Sequence, residues 1–232
     1  MNNKISIILS TYNEGYIIEE TIKEIFNNIN NVEVILVDDN STDETIEKVK
    51  NLNYSNLKLF SRTNRGLASA FLLALINSEG NIVGWFDSNM PSLIKKVPEM
   101  LEELKNNDLV ILSRFVKGGK DERSKLRTLS SLYINYICRF WLGSEIKDYT
   151  SGVFLMHRNT LISGVPICYG HGEFFIEFLY KLKKSGMKIK EIPYTHPPDH
   201  VGMSKTATSI FRFFKLGMDY VVRIIISKFR KN

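Results

Sequence analysis

The 232 residues carry 31 Lys and Arg against 25 Asp and Glu, a formal net charge of +6, with 44% hydrophobic and 24% charged residues. This is the balance of an ordinary folded globular chain, long enough for one well-filled α/β domain without a second. The positive surplus favours anionic partners, nucleotide or lipid phosphate, but the aromatic and basic residues form no nucleic-acid module, and no apolar run reaches the ~20 residues that span a bilayer.

Met1-Asn2-Asn3-Lys4 leads straight into a strand, so no signal peptide is expected. Strands are predicted near 4–10, 32–38, 57–61, 81–87 and 108–113, with helices near 15–29, 43–51, 66–78 and 92–106 between them. Such alternation builds right-handed βαβ units and a mostly parallel sheet. Ser41 or Thr42 is the expected cap of the second helix. After a charged, glycine-containing loop at 116–125, an apolar stretch runs from Leu126 to Leu142. A strand at 152–157, a helix at 173–185 and a strand at 188–194 follow.

Residues 206–232 read as one amphipathic helix, with Arg212, Lys215, Asp219 and Arg223 on a polar stripe. Its apolar arc is wider than a surface helix needs. Packing on the domain or a partner explains the arc, and so does lying in a membrane plane with help from Lys228, Arg230 and Lys231. Cys138 and Cys168 form no C-x-x-C pair and read as reduced, mostly buried thiols of a cytoplasmic protein. The four histidines read as structural or peripheral.

Three strands end abruptly in polar clusters. Thr11-Tyr12-Asn13-Glu14-Gly15 follows the first, Asp38-Asp39-Asn40-Ser41-Thr42-Asp43 the second and Asp87-Ser88-Asn89 the third. Ligands of open parallel sheets bind beyond the carboxyl ends of the strands, so these three turns describe one site, for a nucleotide and a metal. Asp38 and Asp39 should point to opposite sides of the sheet, one into the crevice and one toward a helix cap.

These turns resemble the family-2 glycosyltransferases, and most closely the polyprenyl-phosphate (dolichyl-phosphate mannosyltransferase) branch. The ordered series continues through Asn64-Arg65-Gly66-Leu67, Ser113-Arg114-Phe115, Arg127, Ser131 and Asn135. It goes on with Asp148-Tyr149-Thr150-Ser151-Gly152, Glu177, Glu191-Ile192-Pro193 and Gly202-x-Ser204-Lys205.

The resemblance implies a GT-A nucleotide-diphosphosugar transferase fold, Rossmann-like with a mostly parallel central sheet, over 1–205. The amphipathic helix of 206–232 would follow it. It implies donor contacts from Thr11, Tyr12, Asn13, Glu14, Asp39, Ser41, Gly66, Ser204 and Lys205. Asp87 and Asn89 would hold a divalent metal, Mg²⁺ or Mn²⁺, and Arg114 and Arg127 would grip an acceptor phosphate.

The implied activity is inverting transfer of a hexose, mannose from GDP-mannose, to a polyprenyl phosphate. The protein would lie peripherally on a membrane through 206–232, with a membrane protein or a second copy as further partner. The alternatives are a family-2 transferase acting on a saccharide hydroxyl and a catalytically silent nucleotide-sugar-binding subunit. Asn89 stands where the family has a second acid, Pro91 where it often has another polar ligand, and Asp199 where an arginine is common. Weaker metal binding is the expected consequence.

Overall fold

The computed structural model describes residues 3–63, 65–163, 169–198 and 210–230. A seven-stranded sheet forms its centre, in the order β3 (Leu57–Ser61), β2 (Val32–Asp38), β1 (Ile5–Thr11), β4 (Ile82–Asp87), β7 (Phe154–His157), β5 (Leu109–Ser113) and β8 (Ile189–Pro193). The pairings are parallel except for β7, which runs antiparallel between β4 and β5. A two-residue parallel ladder, β6 (Lys120–Asp121) with β9 (Thr195–His196), went unseen in the sequence because two residues carry no periodicity.

Both faces of the sheet are covered. Ile7, Leu9, Val34 and Leu36 pack with α1 (Ile18–Asn28) and α4 (Val97–Leu104). Their neighbours Ile8, Ile35 and Val37 pack with α3 (Leu67–Ile76), and α5 (Lys125–Leu142), α6 (Phe174–Lys184) and α7 (Ile210–Phe229) join that same core. Strands buried on both sides read as continuous apolar runs, which is why these were legible. Phe71 of α3 and Phe174, Phe175 and Phe178 of α6 meet Trp85 and Phe154 of the sheet to form the aromatic centre.

Two helix readings shift in detail. The helix expected at 92–106 begins as a 3-10 stretch, Pro91–Lys96, and becomes α-helical only over Val97–Leu104. Pro91 opens the first piece and Pro98 lies in the first turn of the second, positions at which no helical N–H is required. The helix α2 (Thr45–Asn51) is not capped by Ser41 or Thr42. Asp43 accepts from the backbone N–H of Thr45 instead, at 3.1 Å.

The apolar stretch after residue 125 is α5, and it buries only Asn135, Cys138 and Leu142. Gly84 marks the tightest crossing of the sheet. A Cβ there would lie 2.5 Å from Leu155 Cδ2 and 2.9 Å from Ile7 Cδ1. Gly84→Ala is expected to cost about 1–3 kcal/mol by overpacking, read as a lowered urea midpoint with an unchanged slope.

Candidate active site

The strand-end turns meet, and the first two are laced together. Asn13, at φ 53°, donates its N–H to Ser41 Oγ at 2.8 Å and accepts from the Thr42 N–H through Oδ1 at 2.8 Å. The N–H of Glu14 donates to Thr45 Oγ1 at 2.9 Å, and that of Gly15 to Asp43 Oδ2 at 3.0 Å. Much of the polar character that marked these turns therefore holds them to each other. Asp38 closes its own turn, accepting from the N–H and the hydroxyl of Ser41.

Asp38 and Asp39 do diverge, but neither caps a helix. Asp39 turns to the α3 side, where it accepts from Arg62 Nε at 2.6 Å and the Gly66 N–H at 2.9 Å. Gly66, at φ 152°, takes a backbone conformation that a side chain would strain. Arg62 also donates to the Gly66 carbonyl at 2.6 Å and to Ser69 Oγ at 2.8 Å. The Arg65 guanidinium lies 3.6 Å over the Tyr12 ring, so one strand-end aromatic already carries a cation on its face.

Asp87 stands at the end of β4 next to Glu14, which accepts from Thr11 Oγ1 at 3.2 Å and from Ser88 Oγ. Burial first, and then the Glu14 charge, lift the Asp87 carboxyl to a pKa of about 6, against the pull of Arg114, Arg123 and Arg127. Asn89 shares a hydrogen bond with Tyr16. Mg²⁺ and Mn²⁺ are commonly held by one or two carboxylates completed by substrate phosphates and water. A carboxylate crowded by a second acid, with an amide oxygen two residues on, fits that requirement. The described residues hold no group of three or more His, Cys, Asp or Glu arranged for a metal.

Arg114 is 4% exposed and belongs to a buried network. Its Nε and Nη2 grip Asp148 at 2.8 and 2.7 Å, Nη2 also donates to Thr150 Oγ1, and Nη1 lies 3.6 Å from Asp121. Asn135 accepts from the Tyr149 N–H at 2.6 Å and donates to Thr150 Oγ1 at 2.8 Å. Glu191 accepts the N–H groups of Lys147 and Asp148. Despite the cost of burying it, the Asp148 carboxyl sits below the usual carboxylate range, chiefly because of the Arg114 charge. The grip expected of Arg114 on an acceptor phosphate is thus already taken by protein carboxylates, and its charge reaches the site through space. Arg127, in the first turn of α5, is half-buried and within the electrostatic reach of Asp87.

Arg123 was missed in the sequence. It donates to both Asp121 oxygens, at 2.8 and 2.6 Å, and to Ser131 Oγ at 2.9 Å. Its signal was the Asp121-x-Arg123 pair inside the charged, glycine-containing loop. Burial and the neighbouring arginines hold His196 neutral, with its pKa down to about 4. Asn64, Cys168, Asp199, His200, Ser204 and Lys205 lie outside the described residues, as do the side chains of Arg212 and Lys215.

A doubly covered, mostly parallel sheet with three polar strand ends converging on one crevice defines a nucleotide-sugar transferase fold of the GT-A kind. Residues 6–163 match the Glycosyl transferase family 2 profile, and the chain belongs to that family. It is 32% identical over 222 residues to the dolichol-phosphate mannosyltransferase of Pyrococcus furiosus, covering 91% of this chain and 62% of that protein. It is 24% identical over 235 residues to the dodecaprenyl-phosphate galacturonate synthase of Rhizobium johnstonii, covering 98% and 68%. Thus the chain spans rather less than two thirds of the Pyrococcus relative's length. The glucosyl-3-phosphoglycerate synthase of Mycobacterium tuberculosis, solved with Mn²⁺, UDP and glucosyl-3-phosphoglycerate, superposes with a TM-score of 0.74. The match has 20% identity and covers 99% of this chain and 81% of that one.

An acid whose folded pKa exceeds its unfolded one favours the folded state when protonated. For Asp87 that advantage is whole below its ordinary 3.8 and is lost as pH rises through about 6. In metal-free protein, Asp87→Asn should therefore raise the melting temperature at pH 8, with the gain shrinking as pH falls below about 6. A pH-independent difference in EDTA-treated melts would contradict the assignment.

Proposed function

We propose that the chain forms the catalytic part of an inverting glycosyltransferase that moves a hexose, mannose from GDP-mannose, onto a polyprenyl (dolichyl) phosphate. The observation that carries this reading is Arg127, half-buried in the first turn of α5 and within electrostatic reach of Asp87, on a helix that runs on as an exposed apolar face. A lipid phosphate offers both an anion for the arginines and a chain for the helix. The names of the Pyrococcus and Rhizobium relatives each specify a polyprenyl phosphate.

The donor would lie across the laced turns, its nucleoside toward Tyr12, Asp39 and Gly66 and its diphosphate toward Asp87 and Asn89. Thr11, Asn13, Glu14 and Ser41 shape this floor through their mutual hydrogen bonds. Ser204 and Lys205, by the family resemblance, would belong to the loop beside the diphosphate. A divalent cation held by Asp87 and Asn89 would stabilise the charge of the leaving diphosphate.

A phosphate monoester, with its second pKa at ~6, is already ionised near neutral pH, so the acceptor needs no general base to attack the anomeric carbon. What it needs is alignment and neutralised charge. Arg127 would supply the direct grip, while Arg123, held by Asp121 and Ser131, and Arg114, in its buried seat, would contribute field.

The membrane seat is a surface of two helices. Leu129, Tyr133, Tyr136 and Phe140 recur at helical spacing along α5, Tyr136 being 67% exposed. Met218, Val222, Ile225 and Phe229 do the same along α7, which packs against α5. Buried on the other side of α7 is Arg223, from the stripe that the sequence marked as polar. Among the described residues no helix is long and apolar enough to cross a membrane. An amphipathic surface lying in the interface suits these helices better.

Incubation with labelled GDP-mannose, polyprenyl phosphate and Mn²⁺ should carry label into the organic phase. Failure of GDP-mannose, UDP-glucose and related donors alike to stabilise the protein would sink the enzyme reading. Donor binding without labelled lipid would favour the silent subunit or a hydroxyl acceptor. Asn89→Asp is expected to tighten Mn²⁺ binding in calorimetry; an unchanged affinity means position 89 does not coordinate. The double variant Tyr136→Glu, Ile225→Glu should leave nucleotide binding intact and abolish co-sedimentation with anionic vesicles.

A further inference from the structure

Arg223 is 6% exposed on the inner side of α7, and its two terminal nitrogens do different things. Nη1 donates to Glu177 Oε2 at 2.8 Å. Nη2 donates to the backbone carbonyl of Tyr169 at 2.6 Å and lies 3.9 Å from Glu173 Oε1. Neutralising Glu177 does not by itself require Arg223. Arg230 Nη1 already donates to Glu177 Oε1 at 2.6 Å, and Lys181 Nζ stands 3.5 Å from the same oxygen. The fork of Arg223 therefore has a second task, which is to hold the turn at 169–173.

That turn is built for close approach. Gly170 has φ 105°, and a Cβ there would lie 1.9 Å from Glu173 Oε1 and 3.2 Å from Arg223 Nη2. A Cβ on Gly172 would lie 2.6 Å from Tyr220 Oη of α7. Both Glu173 oxygens accept from the His171 N–H at 3.0 Å, which closes the turn on itself. The Gly170 carbonyl then faces outward and accepts the N–H of Ala68 at 3.3 Å. Ala68 lies in the first turn of α3, where backbone N–H groups have no helical partner. Two residues earlier, the Gly66 N–H is bound by Asp39.

From these contacts we infer that Arg223 is a positioning residue for the donor corner. It clamps the 169–173 turn onto the start of α3, and this fixes Gly66 and Asp39 where the nucleoside is read. The chain of contacts is continuous from α7 to the end of β2, so the helix proposed to seat on the membrane also sets the shape of the nucleotide site. The inference rests on the reading of the Asp39 corner as the nucleoside seat, but the clamp itself is a property of the unliganded protein.

Arg223→Lys keeps the charge beside Glu177, but a single ammonium lacks the planar fork that reaches Glu177 and the Tyr169 carbonyl together. Hydrogen exchange followed by mass spectrometry should show the amides of 66–71 exchanging about 5-fold faster or more in this variant. Calorimetry with UDP and GDP, each with Mn²⁺, should show a loss of affinity of similar size. Arg230→Gln, which removes a Glu177 partner remote from the turn, should lower the melting temperature and leave both readouts at wild-type values. A purely structural role would move both variants alike. Wild-type exchange at 66–71 in folded Arg223→Lys would overturn the inference. Should that variant fail to fold, Glu173→Gln, which removes the charge facing Arg223 from the turn, decides by the same exchange measurement. Loss of protection supports the clamp, and unchanged protection refutes it. If the wild-type protein binds neither nucleotide, the transferase reading falls, while the exchange comparison still decides the clamp.

Discussion

Two carboxylates stand together at the centre of this protein, Glu14 after β1 and Asp87 at the end of β4, and much of what surrounds them answers that crowding. Adjacent strands of a parallel sheet end at the same level, so acids placed at their ends are forced near each other. Partial burial then raises the cost of keeping both ionised, and the Asp87 carboxyl responds with a pKa of about 6. Positive charge must be brought to the mouth. The chain supplies it from the segment that follows β5, through Arg114, Arg123 and Arg127.

Those arginines are themselves organised by acids. Asp148 holds Arg114 through two nitrogens, Asp121 holds Arg123, and the Asp121 carboxyl is held down to about 2 by Arg123 and Arg114 despite the opposing effect of burial. Asn135 and Glu191 fix the backbone that presents Asp148. A group of sequence motifs that look catalytic one by one thus forms a single buried framework. It holds the Arg114 and Arg123 guanidinium groups in place without ligand, the kind of preorganisation that the proposed phosphate acceptor would need.

The outer helices invert the usual division of labour. Along α7, Arg223 and Ser227 are buried while Met218, Ile225 and Phe229 are exposed. A helix that buries its charge and presents its apolar side is stable only if the charge is fully paired, which Glu177 and the Tyr169 carbonyl accomplish here. The exposed face of α7 continues that of α5, and α5 begins at the arginine mouth. One surface therefore joins an exposed apolar face to the end of α5 that carries Arg127, which is the arrangement on which the proposed lipid-phosphate acceptor rests.

The order of strands and helices was legible in the sequence because strands buried on two faces are written as unbroken Ile, Val and Leu runs, and because each ends in a polar turn. The strand-end turns were legible for the same reason, since Thr11 to Gly15, Asp38 to Asp43 and Asp87 to Asn89 are local strings, and the fold brings them into contact. Side-chain tasks were not. Whether Asp39 faces a ligand or Arg62, whether Arg114 is available or bound to Asp148, and whether the charged stripe of α7 faces water or Glu177 depend on partners 20 to 50 residues away. Helical periodicity separates polar from apolar faces but does not say which one turns inward, because a charge is buried only where the fold brings an opposite charge to meet it. The sequence by itself determined the scaffold and the polar strings at its strand ends; the tertiary structure alone decided which charged groups are held by one another, because each of those pairings joins residues far apart in the chain.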